Sequence, residues 1–214
     1  MIITIDGPAA SGKSTTAKLV AKKMNFIHLD TGSMYRAITY FFLNNNIDIS
    51  NNEIKNHLND IKLEITGISY NQVILNNINI TDKIRTTAID NNVSKVSALI
   101  DVRNYLICFQ RQICKNKNVV VEGRDIGTNV FPNAKYKFYI TADVKIRAIR
   151  RFNEKKRKSI NIDIIEQELK ERDEYDKKRT YSPLKIPNNS IIIDTTNINL
   201  NDQVEKILNY IKGD

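Results

Sequence analysis

Two cysteines and two histidines are all that this chain of 214 residues offers a soft metal or a disulfide. Cys108 and Cys114 lie six positions apart in a segment of helical pattern, which turns them to different faces, and neither has a His or Cys beside it. That spacing argues against both a disulfide and a zinc site. His28 and His57 stand alone and read as packing residues rather than ligands. No apolar run approaches the roughly 20 residues that a membrane helix needs. The opening "MIITIDGP" also lacks the basic start and small-residue cleavage site of a signal peptide. A cytoplasmic protein without a membrane partner is expected. There is no internal repeat, and one sizeable core, hence a single domain over residues 1–214, is what the length and 41% hydrophobic content support.

What is present begins with charge. Lys and Arg number 33 against 24 Asp and Glu, a net charge of +9 that suits an anionic partner without choosing among nucleic acid, membrane surface and nucleotide phosphate. Ile, Asn and Lys are abundant, as in "FFLNNNIDISNNEIKNHLND", yet apolar residues interrupt every polar cluster, so the bias overlies a folded pattern.

Short apolar runs alternate with helical periodicity. "MIITI" is followed by a glycine loop and by "KSTTAKLVAKKM", where Ala17, Val20, Ala21 and Met24 form one helical face. Further strands are expected at 26–29, 119–121, 136–140 and 190–194. Helices are expected in "SMYRAITYFFL", at 143–157, 163–176 and 202–212, and as one or two segments within 86–116. Such alternation implies an α/β fold with a parallel sheet covered on both faces. Residues 62–82 break the rhythm with polar and apolar alternation between Gly and Asn, which predicts a small antiparallel insertion.

"GPAASGKS" at residues 7–14 matches G-x-x-x-x-G-K-[ST] and falls where that pattern belongs, between a strand and a helix. Gly7, Pro8, Ala9, Ala10, Ser11 and Gly12 would turn backbone amides toward phosphates, followed by Lys13, Ser14 and Thr15 at the helix start. Lys13 would reach the β and γ oxygens of a bound triphosphate, and the Ser14 hydroxyl is the candidate ligand for Mg2+. The motif identifies a nucleoside triphosphate and no more; GTPases, ATPase motors, transporters and small-molecule kinases all use it, so the second site must name the function.

Three clusters of arginine and acid supply a second site. "LDTGSMYR" places Thr31, Tyr35 and Arg36 after the second strand, and "EGRDIGT" places Glu122, Arg124 and Asp125 after the third. "ERDEYDKKR" sets Arg172, Asp176 and Arg179 on one helical face, beside Asp173. Ligands of open parallel sheets bind outside the carboxyl ends of the strands, so the first two clusters should converge near the phosphate loop. Each cluster also has a plainer reading, as a solvated face or a structural ion pair. Guanidinium forks combined with acids that accept from amines or hydroxyls suit a phosphorylated, hydroxyl-bearing acceptor.

Taken together, "TIDGPAASGKST", "LDTGSMYR", "DKIRTTAI", "EGRDIGT" with "VFPNA", "RAIRR" and "ERDEYDKKRTYSPL" resemble the bacterial cytidylate kinase family nearly end to end. The resemblance implies ATP-dependent phosphorylation of CMP and dCMP on a P-loop nucleoside monophosphate kinase fold. Such a fold has a five-stranded parallel sheet flanked by helices, a monophosphate-binding region over 31–100 and a short lid at 150–160. It puts Arg36 and Arg124 on the CMP phosphate, Thr31, Arg111, Asp125 and Arg179 around the cytosine, and Ser94, Arg172 and Asp176 around the pentose. Lys13, Arg36, Arg124 and Arg151 are the expected catalytic side chains, with Arg147 and Arg150 as further candidates for closing over the phosphates. Glu122 stands where the family usually has Asp, and either orders a metal-bound water or orients Arg124. Thr31 replaces a common Ser and keeps its hydroxyl. Rival readings are another P-loop small-molecule kinase, acting on AMP, UMP, shikimate or a sugar acid, and a nucleic-acid-stimulated P-loop ATPase. No RNA-binding motif or interleaved aromatic patch supports the latter, so no nucleic-acid partner is expected. A monomer is expected because no long exposed apolar stripe remains unassigned.

Overall fold

A strand covered by helices on both faces has no solvent side, so it reads as an unbroken apolar run. β1 (Ile2–Asp6) is such a strand, with Ile3, Thr4, Ile5 and Asp6 all fully buried. The computed structural model, which describes residues 1–49, 54–66, 71–155 and 161–213, follows it with α1 (Lys13–Met24), β2 (Ile27–Asp30) and α2 (Thr31–Asn44). Next come the short α3 (Ile54–Leu58) and three short strands, β3 (Leu63–Thr66), β4 (Gln72–Leu75) and β5 (Ile78–Asn79). Two helices, α4 (Thr87–Val96) and α5 (Ile100–Cys114), lead back to β6 (Val119–Gly123). β7 (Tyr136–Thr141), α6 (Val144–Lys155), α7 (Ile162–Lys178), β8 (Ile191–Asp194) and α8 (Leu200–Lys212) complete the order.

The main sheet has five strands in the order β2-β6-β1-β7-β8, and every neighbouring pair is parallel. Its register sets the site: Asp30 lies opposite Glu122, and Asp6 opposite Gly123. The carboxyl ends of β2, β6 and β1 therefore finish at one level, where chemistry-bearing side chains can meet. β3, β4 and β5 form the separate antiparallel sheet expected within 62–82; residues 67–70 of that stretch lie outside the described residues.

Apolar packing holds the sheet from both sides. On one face Leu29, Met34, Ile38, Phe42, Leu106 and Val121 gather under α2 and α5 and continue into the insertion. On the other, Ile3, Ile5, Val20, Phe138, Ile140 and Ile207 join α1 and α8 to the sheet. Each such side chain removed from water stabilises the fold by about 1.5–3 kcal/mol.

Details depart from expectation for local reasons. The second strand ends one residue later than the apolar run because Asp30 closes it and then caps α2, accepting from Ser33 N at 3.2 Å. The segment 86–116 is two helices, with α4 capped by Thr86 and ending at Ser97. After β6 comes an unforeseen five-residue π-helical turn, Ile126–Val130, whose first amides donate to the buried Asp6 carboxylate at 2.8 and 2.7 Å. Of the lid expected at 150–160, residues 150–155 are the end of α6 and 156–160 lie outside the described residues. Cys108 is exposed and Cys114 buried, both free, as their spacing predicts; burial pushes the Cys114 thiol up to about 12.

Candidate active site

The loop after β1 is shaped by what surrounds it. A Cβ on Gly7 would fall 2.0 Å from the Ile140 carbonyl oxygen, so β7 leaves room for glycine alone. Gly12 adopts φ +89° to start α1, whose amino terminus has no side-chain cap and whose Lys13 and Ser14 line the cleft. Lys13 is buried, its Nζ donating to the Pro8 carbonyl at 2.9 Å. Burial, and then the nearby Arg124 guanidinium, push its ammonium down to about 7. Ser14 is exposed and donates to Glu122 Oε2 at 2.5 Å.

Facing this loop across a cleft of about 560 Å³ stand the arginines and acids of the second site. The lining takes Ala9, Ala10, Lys13 and Ser14 from the loop, Thr31, Tyr35 and Arg36 from α2, and Ser94 from α4. Arg124 and Asp125 come from the end of β6, Arg151 from α6, and Arg172, Asp176 and Arg179 from α7 and its cap. Cationic and anionic side chains alternate along this wall. Arg124 donates to Asp176 Oδ2 at 3.0 Å and to the Gly7 carbonyl at 2.9 Å, so one guanidinium spans the two walls. Asp176 also pairs with Arg179, which donates to Ser97 Oγ at 2.8 Å. Arg36 meets Asp90 at 2.6 Å and the Ile84 carbonyl at 3.2 Å. Burial, then Arg124, hold Arg172 down to about 10, and its Nε has no partner among the described residues. A group of cations crowded this closely is ready for an anion.

Two expectations are corrected here. Arg111 does not line the cleft: its Nε and Nη2 donate to the Val130 and Asn129 carbonyls, both at 2.9 Å, and brace the π-helical turn from outside. The arginine beside Asp125 is Arg103. It is 1% exposed, pairs with Asp125 Oδ2, donates to the Ser97 carbonyl at 3.0 Å and lies 5.3 Å from the centre of the Tyr35 ring. Burial is the largest influence and lowers its pKa, but the Asp125 carboxylate together with Tyr35 and Tyr181 more than offsets it, so the guanidinium is held above its ordinary value. Arg103 shares the buried face of α5 with Val102, Leu106, Ile107 and Gln110, and a charge on such a stripe was the available signal. The second correction concerns "RAIRR". Arg147 is buried beneath the phosphate loop, bonded to Asp173 at 2.5 Å and to the Ala9 carbonyl at 3.1 Å. Arg150 donates to Thr195 Oγ1 at 2.9 Å and to its carbonyl at 2.6 Å, outside the cleft lining. Arg151 alone of the three faces the cleft.

Nor does His28 stand alone. Its Nε2 lies 2.9 Å from Glu122 Oε1, so Glu122 links Ser14 to His28 while its carbonyl accepts from Thr31 Oγ1 at 2.7 Å. The exposed Ser14 hydroxyl beside a carboxylate is a hard-oxygen donor set, which suits Mg2+. Among the described residues there is no cluster of three or more His, Cys, Asp or Glu for a metal ion.

Comparison with known proteins agrees with this geometry. The family model described as cytidylate kinase matches residues 3–213. The chain is similar to the cytidylate kinase of Fusobacterium nucleatum, at 47% identity over 99% of this chain and 95% of that one. It is also similar to that of Clostridium botulinum, at 45% over 99% and 98%. Among solved structures, shikimate kinase from Acinetobacter baumannii superposes with a TM-score of 0.52 at 16% identity, covering 99% of this chain and 93% of that one. That likeness speaks to the P-loop kinase fold.

Proposed function

The chain belongs to the cytidylate kinase family, and on that premise we propose which of its residues carry phosphoryl transfer from ATP to CMP and dCMP. The observation that supports the assignment best is that one cleft holds the phosphate loop and, facing it, a wall of arginines ending in the Arg103–Asp125 pair.

The loop amides and Lys13 hold the ATP phosphates. Arg36 and Arg124 hold the acceptor's phosphate, with Arg124 reaching toward both nucleotides from its place on the Gly7 carbonyl. An oxygen of the CMP phosphate forms the new bond to the γ-phosphorus in line with the bond to the β-γ bridging oxygen. That bond breaks and ADP carries the electron pair away. Little covalent help is needed, since alignment and positive charge around the migrating group lower the barrier. Ser14, with Glu122 acting through water, would hold Mg2+, which supplies charge neutralisation to the ATP phosphates. Arg151 adds charge from α6, and keeping water out of the loaded cleft protects ATP from hydrolysis.

Base choice rests on complementary hydrogen bonding. Cytosine presents an exocyclic amine beside ring acceptors, matching the Asp125 carboxylate as acceptor and the Arg103 and Arg179 guanidiniums as donors. Uracil presents a carbonyl to Asp125 and offers no donor to the carboxylate oxygen that would receive the cytosine amine, a mismatch that can cost on the order of 10⁴ in specificity. Ser94, Arg172 and Asp176 contact the pentose. We take the protein to act as a cytoplasmic monomer; the described residues contain no helix long and apolar enough to cross a membrane. Coupled measurement of ADP release with CMP, dCMP, UMP and AMP in parallel tests the assignment. CMP and dCMP should lead by orders of magnitude, and preference for AMP or UMP would overturn it.

A further inference from the structure

No motif points to Asp90, which lies on α4 where that helix borders the cleft. Its carboxylate joins arginines from two other helices, Arg36 of α2 at 2.6 Å and Arg151 of α6 at 3.2 Å. The Asp90 side chain is 10% exposed and Arg36 13%, so this contact is mostly removed from water. All three side chains line the cleft, and both arginines are assigned above to phosphates. A carboxylate set against two guanidiniums, close in charge to Arg36 and hydrogen-bonded to Arg151, inside a cleft lined by further arginines stands where an anionic ligand would.

We propose that Asp90 is an internal placeholder anion: it occupies Arg36 and Arg151 while the acceptor site is empty, and the acceptor's phosphate takes its place. A phosphate monoester carries nearly two charges at neutral pH and three strong acceptor oxygens, against one charge and two oxygens for the carboxylate. It therefore wins Arg36 at a cost in affinity that Asp90 sets. Arg151, released from α4 in the same event, turns toward the phosphates only once the acceptor is in place. The carboxylate thus weakens acceptor binding and delays completion of the charged site. This inference rests on the reading of Arg36 as a phosphate ligand. A wild-type protein that fails to phosphorylate CMP would sink that reading, whereas the variants below decide the role of Asp90 within an active enzyme.

Asp90→Asn keeps the side chain's shape and removes its charge. Calorimetric titration should show CMP binding about tenfold tighter than in the wild type, the scale of one charge-assisted hydrogen bond no longer displaced. Inorganic phosphate should raise the melting temperature of the variant more than that of the wild type, because Arg36 and Arg151 no longer face the Asp90 carboxylate, Arg151 keeping its 3.8 Å contact with Glu154. A role as a mere brace predicts the opposite sign, since arginines set loose bind phosphate less well. CMP binding that is unchanged or weaker in the variant overturns the proposal, whatever phosphate does. Asp90→Ser, smaller and also neutral, gives the same reading should the amide prevent folding.

Discussion

Arg103 and Arg111 lie on the same helix, yet their surroundings give them opposite duties. Arg103 is fully buried against Asp125, while Arg111 holds carbonyls of the π-helical turn from the far side. Removing Arg103 leaves a buried carboxylate without its partner, so Arg103→Ala should raise KM for CMP by about 10²-fold or more, the scale of a broken buried pair. Arg111→Ala should leave KM for CMP within about twofold, as expected of a side chain that contacts no substrate. Steady-state kinetics with CMP varied distinguishes the two, and the reverse ranking would restore Arg111 to the base pocket. The phosphate loop was legible because its residues are contiguous and each does its work locally. Arg103 was not, because its role depends on a strand that folds beside it from more than fifteen positions away. Asp90 escaped for the same reason, its partners Arg36 and Arg151 lying on helices far from it in sequence.

At the scale of elements, the sequence pattern located every strand of the main sheet to within a residue or two, since buried parallel strands announce themselves as apolar runs. Strand order and the π-helical turn were not readable, because they depend on pairings between distant segments and on Asp6 capturing two amides of another strand's exit. The helices α6 and α7 show how a charge run can mislead. "RAIRR" reads as a basic face offered to phosphate, yet Arg147 lies inside, joining α6 to Asp173 of α7 and to the loop carbonyl of Ala9. Asp173 returns the contact by accepting from Ala9 N at 3.3 Å. Arg147→Met keeps the packing and strands Asp173, so unfolding in urea should show a loss of about 3–5 kcal/mol. A loss below about 1 kcal/mol, the value of an exposed pair, would return Arg147 to the surface.

For the whole molecule, the net charge of +9 is a weaker guide than the placement of charge. Arg36, Arg103, Arg124 and Arg179 each pair with an acid inside one cleft, so recognition is built from alternating signs rather than a basic surface. Fold stability carries its own mark of buried charge. Burial raises Asp6 to about 7, opposed by the amides of Gly127 and Ile126. Because the folded value exceeds the unfolded one, the stability this group contributes is fully present below about pH 4 and is lost as pH rises through about 7. Stability of the wild type relative to Asp6→Asn should therefore decline between those values in urea unfolding; a flat difference would show that Asp6 ionises as freely in the folded chain as in the unfolded one.

The central claim is that Asp125, held by Arg103, reads the amine of cytosine. Its most direct test is the ratio of kcat/KM for CMP over UMP in Asp125→Ala against the wild type. The account predicts a ratio that falls by orders of magnitude toward one; a ratio left unchanged would contradict it.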